Sequence, residues 1–504
     1  FFEGVNGGTT GFDYNTGNLV IPMINGNLVK PNIQQITPIA YPLFKDRIEG
    51  TDALHLQLSI RKTGPGQLAP RFGFAYKPGG SDKVVIRSAF GLFPIFFDTN
   101  VSQFATQSPP FLVAQTVNNP ASGPTFNWAD PFQGQPIISP NSSHSTCKYT
   151  TTAYATCLAP LLQTEAVALQ HTYMEEYNLQ VQWQLRGDLS ATVGYVGNHT
   201  LHAQQYSVPT NTPNAVPLQA PNSGTPDAKT AVQARRPFPQ WGQINAGFTY
   251  GAAHYDAFQA TLEKRFGKGW YALVSYSHAK CLDTGSNEGA PIALQYLPYN
   301  YAVCSYDIPN NLTVSTVYDL PFGKGKLFMN RSGVASYLVG GWQLAGIFMY
   351  RTGQPYTPVL AGDPANIGVS GQQFPVKVGN PNIRHTLANK AVHYFDPAAF
   401  AFPSVNGTQV ATSGYINLVN GRNILRSQGL VNMDATLKKN FSISEAKYFE
   451  LRLESFNIAN HPTFAAPNAT ISLNATLNNS NSVGKVSSTL NNNRIFQGGL
   501  KFFF

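Results

Sequence analysis

Arg494-Ile495-Phe496-Gln497-Gly498-Gly499-Leu500-Lys501-Phe502-Phe503-Phe504 closes the sequence, and its reading decides the fold. Taken in twos from the end, Phe504, Phe502, Leu500, Gly498 and Phe496 fall on one side. Phe503, Lys501, Gly499, Gln497 and Ile495 fall on the other. A strand sends alternate side chains to opposite faces, so one face is apolar and aromatic and the other mostly polar or small. Ending on such a segment, a soluble chain would fray. The pattern reads as the closing strand of a barrel whose outer face meets lipid, with aromatic rings at the membrane boundary.

Composition points the same way. The 504 residues are 12% charged and 12% aromatic, with 44 Gly and 36 Pro; soluble domains carry about 25% charged residues. This favours an all-β chain with many turns and long polar loops over a helical enzyme. No apolar run reaches the roughly 18–20 residues of a membrane helix. Barrel strands alternate instead, so a mean hydropathy of −0.17 is compatible with lipid contact. The net charge of +9 is not gathered into a Lys/Arg block with interleaved aromatics, and no nucleic-acid partner is expected. The sequence opens at Phe1 with neither Met nor a signal peptide; the expectation is that an amino-terminal portion has been lost or lies upstream.

Residues 1–67 read mainly as loop, with short strands at Gly17–Pro22 and Leu54–Ile60. From Leu68 to Phe504 a repeating pattern of strand pairs takes over. Arg71–Tyr76 and Val84–Phe93 flank a turn at Lys77–Asp82. Tyr177–Leu185 and Leu189–Val196 flank Arg186-Gly187-Asp188. Tyr255–Phe266 and Trp270–His278 meet at Gly267-Lys268-Gly269. Asn311–Leu320 pairs with Leu338–Tyr350, Leu430–Phe441 with Tyr448–Ile458, and the closing strand follows. Short turns near 80, 187, 268, 325 and 444 alternate with long loops near 98–172, 199–243, 282–308, 354–427 and 461–491. An up-and-down meander with one trimmed rim and one elaborated rim gives this alternation, as in outer-membrane barrels with short periplasmic turns and long outer loops. Counted back from Phe504, every short turn falls on the periplasmic side.

The faces agree. Leu179, Val181, Trp183 and Leu185 alternate with Asn178, Gln180, Gln182 and Gln184. Val431, Met433, Ala435 and Leu437 alternate with Asn432, Asp434, Thr436 and Lys438, and Phe449, Leu451 and Leu453 with Glu450, Arg452 and Glu454. Mid-strand charges opposite an apolar row belong in a polar lumen, because on lipid they cost up to a few kcal/mol each. Glu450, Arg452 and Glu454 are read as a lumen row of mutual salt bridges. The expected architecture is thus an antiparallel up-and-down transmembrane β-barrel with about eleven strands present.

Four cysteines form two local pairs, Cys147/Cys157 and Cys281/Cys304, in loop-like segments and without the spacing of a metal knuckle. The reading is two loop disulfides in an oxidising compartment, with four free thiols the alternative. No GxSxG elbow, P-loop or HExxH stands in the sequence. His171 and Glu175 have i, i+4 spacing where no helix is expected, so they are not read as a metal pair. His278 and His461 read as interface-level polar residues, and Trp183, Trp270 and Trp342 as lipid-facing or girdle residues. No catalytic residue, metal or cofactor is assigned.

The ending resembles the carboxyl-terminal assembly signal of bacterial outer-membrane barrels, with Gln497, Gly499, Phe502 and Phe504 in its places. Ala69–Tyr76, Tyr255–Phe266, Leu320–Lys326, Gly340–Gly346, Phe395–Phe400 and Glu454–Phe464 together resemble the barrel of Oar-like TonB-dependent receptors, the carboxypeptidase-regulatory-like-domain type, from about Leu68 to Phe504. The resemblance implies a barrel of about 22 strands closed by a plug and energised by an inner-membrane complex through a TonB box. Neither plug nor TonB box is recognised here, so the expectation is the C-terminal half of such a barrel. It implies outer-membrane lipid, the barrel-assembly machinery and the TonB complex as partners. It also implies binding of a scarce ligand by the long loops, the ligand itself being unspecified: an iron chelate, oligosaccharide, peptide or cobalamin. A secreted soluble sandwich or adhesin-like protein is the alternative. A propeller would repeat every ~40–50 residues, and no such repeat is found.

Overall fold

The computed structural model describes residues 10–29, 44–58, 60, 68–96, 105–109, 111, 161–167, 169–214, 216, 232–286, 300–331, 333–369, 373–382, 385–386, 392–401, 404–405, 408–409, 421–444, 447–471 and 483–504. Eleven strands form one continuous path: β1 (Arg71–Tyr76), β2 (Val84–Ile95), β3 (Thr172–Arg186), β4 (Leu189–Pro209), β5 (Ile244–Gly267), β6 (Trp270–Asp283), β7 (Asn310–Asp319), β8 (Trp342–Arg351), β9 (Leu430–Ser442), β10 (Tyr448–Phe456) and β11 (Ile495–Phe503). Each pairs antiparallel with the next in sequence. This is a meander: short turns leave five of the ten pairings no choice but the neighbour, and the strands joined by the long connections pair in sequence order as well. At the β5–β6 turn Lys268 and Gly269 both take positive φ, 52° and 76°, the geometry that matches the twist of a tight hairpin.

The register carries each face across the sheet. Val84, Trp183, Ala191, Leu262, Val274, Val314, Phe348 and Met433 stand opposite one another in turn. So do Arg87, Gln180, Gly194, Gln259, Ser277, Asn311 and Arg351 on the other face. Large apolar side chains are left exposed on the first face, among them Trp183 (53%), Leu262 (42%) and Leu500 (66%). In water such a belt would be an unstable patch; against hydrocarbon it is the stable arrangement. The polar face is not uniform: Leu273 and Ile347 share a row with Glu263, Ser315 and Asp434.

The outer rim departs from the sequence reading. β4 has 21 residues and β5 has 24, so residues 199–209 of the expected 199–243 loop are strand and β5 begins at Ile244, ahead of the expected Tyr255. At a 45° tilt 24 residues climb roughly 55 Å, against an apolar band about 25 Å tall, so these strands project beyond the membrane. The projecting pairing slips between Leu201 and Val208. Pattern reading stops at Val196 because beyond it lipid no longer imposes alternation. Residues 1–67 contribute short strands at Gly11–Asp13, Asn18–Ile21 and Ile48–Gly50. Gly11–Asp13 pairs in parallel with Leu162–Ala166, which in turn pairs with the start of β5. Phe12, Leu19, Phe44, Leu162, Val208, Trp241, Ile244 and Phe248 bury themselves there as one cluster, and the Trp241 indole N–H donates to the Gly17 carbonyl at 2.8 Å. The described residues of Leu54–Ile60 form turns, not a strand.

A second departure lies at the inner rim. Strand β8 begins at Trp342, and Val334–Val339 form a one-turn helix instead of the expected strand start. Lys439, on the apolar face but only 2% exposed, donates its ammonium to the carbonyls of Tyr337, Leu338 and Gly340 at the end of that helix. A cation at a helix carboxyl end satisfies carbonyls that have no partner within the helix.

Candidate functional site

Three polar arrangements stand out among the described residues. The first is the polar wall. Asn178, Gln180, Thr192, Gly194, Gln259 and Thr261 line a hollow of about 280 Å³ on β3–β5. Amides and hydroxyls of both donor and acceptor type converge there, which suits a polar, multiply hydrogen-bonding molecule.

The second is the charge ladder near the carboxyl end. Glu450 lies 3.0 Å from Arg452 and 3.5 Å from Lys438, and Arg452 lies 3.6 Å from Glu454. Register places Lys501 opposite Glu450, Gly499 opposite Arg452 and Gln497 opposite Glu454. The Gln497 and Gly499 of the closing segment thus share the charged face. Phe502 and Phe504 take the apolar one: Phe502 packs on Phe449 with centroids 4.7 Å apart and on Phe504 at 5.9 Å. Phe503, on the polar face, stacks on Tyr448 at 4.5 Å.

The third is a buried knot at the outer end of β6, which sequence reading missed apart from its cysteines. Cys281 and Cys304 are joined by a disulfide. Asp307 accepts from the Cys281 amide at 2.8 Å and pairs with Arg426 at 2.5 Å. Arg422, 6% exposed, grips Asp283 and the carbonyls of Asp283, Asn300 and Ala302. Asn423 donates to the Val303 carbonyl at 2.6 Å. Two arginines from the 354–427 connection therefore clamp the 282–308 connection onto the wall. Burial, and next the charge of Asp283, hold the phenols of Tyr301 and Tyr306 above their ordinary range, so both remain neutral hydrogen-bonding groups at physiological pH. The one signal in the sequence was the rarity of charge: an isolated Gly421-Arg422-Asn423 in a polar loop, and an aspartate shortly after each cysteine, Asp283 after Cys281 and Asp307 after Cys304.

Cys147 and Cys157 lie outside the described residues. His171 immediately precedes β3 and Glu175 lies within it, so the two share an extended segment and no helix. His278 sits on β6 with Nδ1 3.0 Å from the Asn310 side chain, and the His461 amide donates to the Asn457 side chain at 3.0 Å. Trp270 and Trp183 stand on the apolar face, 44% and 53% exposed.

Set beside known proteins, residues 1–497 match the family model described as outer membrane beta barrel domain. No curated protein matches. Among solved structures, the outer membrane transporter YddB from Escherichia coli overlaps 86% of this chain at 9% identity, with a TM-score of 0.41 and 40% of its own length covered. The ferripyoverdine receptor of Pseudomonas aeruginosa overlaps 87% at 8% identity (TM-score 0.38, 33% of its length). The FrpB iron transporter from Neisseria meningitidis overlaps 87% at 10% identity (TM-score 0.35, 39% of its length). The chain thus spans between 33% and 40% of the length of these structures.

Proposed function

This chain belongs to the outer membrane beta barrel domain family, and we propose that it is part of the wall of an energised outer-membrane receptor of the TonB-dependent, Oar-like type. The carrying observation is the division of labour in the sheet: lipid-facing rows on one side, a polar wall on the other, and long connections drawn into one clamped rim. A ligand is bound by the rim and the polar wall, and passes when a plug yields. The wall supplies recognition and a path; no bond-making step is assigned to it. Gln497, Gly499, Phe502 and Phe504 serve as the assembly signal, and the TonB complex acts through a plug inside the completed barrel. A two-sheet soluble sandwich needs two inner faces packed about 10 Å apart; the eleven long strands here follow a single path.

The test is disruption of the complete gene in its bacterium, followed by accumulation assays with labelled ferric chelates, cobalamin, oligosaccharides and peptides, with and without a protonophore. Loss of one ligand class, with the wild-type accumulation abolished by the protonophore, supports the proposal. Uptake of every class unchanged by disruption, or insensitive to the protonophore, overturns it.

A further inference from the structure

Above the last apolar row on β3–β5, the outward face changes character. The row Leu179, Tyr195 and Phe258 is followed by Tyr177, Gly197 and Asp256, and then by Glu175, His199 and His254. The Asp256 carboxylate accepts from the Tyr177 hydroxyl at 3.2 Å and from the Tyr195 hydroxyl. His254 Nε2 lies 2.9 Å from the other Asp256 oxygen and 3.4 Å from the Tyr177 hydroxyl. Four side chains from three strands thus bring two phenols, a carboxylate and an imidazole to one point. It opens outward: the His254 and Asp256 side chains are 38% and 35% exposed.

Gly197 makes this convergence possible. It stands opposite both Tyr177 and Asp256 in the register, which puts Tyr177 two strands from Asp256. A Cβ at position 197 would lie 2.4 Å from the Tyr177 ring. Only a residue without a side chain lets that ring lie across β4 and reach β5.

We propose that Tyr177, Tyr195, His254 and Asp256 form a binding site for a hard trivalent cation of the ferric type, at the outer margin of the lipid belt. Metal–oxygen and metal–nitrogen bonds of about 2.0–2.2 Å place neighbouring donors about 2.9–3.5 Å apart; the separations of 2.9, 3.2 and 3.4 Å fall in that interval, and the shorter Tyr195–Asp256 contact opens as the cation replaces its hydrogen bond. The donor chemistry selects the cation. Oxygen-rich, anionic donors suit hard ions. A phenol with an ordinary pKa of about 10 gives up its proton near neutrality only to a strongly acidic cation. Each bound phenol releases its proton to water as its oxygen–metal bond forms, and no redox change is involved. Among the described residues no three His, Cys, Asp or Glu side chains converge; the two phenols are what make this a ligand set. The inference rests on the register of β3–β5 and is independent of transport.

The test titrates the product of the complete gene, purified in detergent as a closed barrel, with ferric nitrilotriacetate. The expected result is a saturable visible phenolate-to-iron charge-transfer band at one iron per chain. Gallium should displace it, and it should bleach as pH falls and protons compete for the phenolates. Y177F/Y195F keeps the rings and their packing and should lose the band. G197V removes no donor but blocks Tyr177, and should cut the band at least tenfold at the same iron concentration. Absence of a band in the wild type, or a band unchanged in Y177F/Y195F, overturns the proposal and leaves the cluster a hydrogen-bonded polar girdle only.

Discussion

Arg422 holds the 282–308 connection in place because it answers a buried carboxylate. The Arg422 and Asp283 side chains are 5% and 4% exposed, so removing one partner leaves the other charged and dry. Such a loss costs about 3–5 kcal/mol. Arg422→Ala is therefore expected to loosen the 282–308 connection while leaving the lipid-facing strands paired. Limited proteolysis should detect the opening as new cleavage confined to that connection, and strand content by circular dichroism should not change. Arg452 makes a contrast. Its side chain is 39% exposed, and its buried partner Glu450, 8% exposed, keeps Lys438 at 3.5 Å, so Arg452→Gln leaves that buried carboxylate a cation and should cost less than Arg422→Ala, about 1 kcal/mol. Denaturant unfolding of the two variants side by side would rank them.

At the scale of elements, the connections are built parts. The Cys281–Cys304 bond closes a loop of sequence separation 23, for which loss of chain entropy predicts about 3 kcal/mol of stabilisation. Cys281→Ser with Cys304→Ser should lower the stability of the rim by about that amount, and reduction of the wild type should reproduce the effect. At the opposite rim, the helix Val334–Val339 ends on the Lys439 ammonium. Lys439→Met preserves the stem and its packing but removes the ammonium from the Tyr337 and Gly340 carbonyls and leaves Leu338 only the Trp342 indole N–H, at roughly 1–3 kcal/mol. The expected outcome is faster hydrogen exchange at the last turn of that helix, with the β8–β9 pairing unchanged. Exchange that spreads equally into β8 and β9 would show instead that Lys439 braces the wall itself.

At the scale of the molecule, the two edges decide how the sheet can exist in a bilayer. Among the described residues β1 pairs only with β2 and β11 only with β10, and every residue of both edge strands is exposed. In an eleven-strand antiparallel meander the first and last strands run the same way. Closing this sheet on itself, or on a second copy turned about the membrane normal, would therefore need a parallel seam. A wholly antiparallel closure needs an odd number of further strands. Every backbone group left open toward hydrocarbon costs several kcal/mol, so an uncompleted edge is not tolerated there. Residues 68–504 produced alone should migrate identically whether or not they are boiled. Supplying an odd-stranded complement should restore the heat-modifiable shift of a closed barrel. A clear shift from the 68–504 segment by itself would mean that it closes through a parallel seam.

Alternation was legible wherever lipid imposes it. The strands from Arg71 to Phe503, the tight turns near 187 and 268, and the two faces of β3, β9 and β10 follow from period-two patterning and turn chemistry, which are local. The identity of the charged face was readable for the same reason: Glu450, Arg452 and Glu454 stand two apart, opposite an apolar row. What only the tertiary structure decided lies where constraints act across the chain. The extension of β4 and β5 above the membrane, and the parallel pairing of Gly11–Asp13 with Leu162–Ala166, have no local period to announce them. The Arg422–Asp283 clamp joins positions separated by 139 residues, and the Tyr177–Asp256 convergence depends on an intervening glycine in a third strand. Sequence sets what each segment presents to either side; which distant segments meet is set by register and burial, and those exist only in the folded sheet.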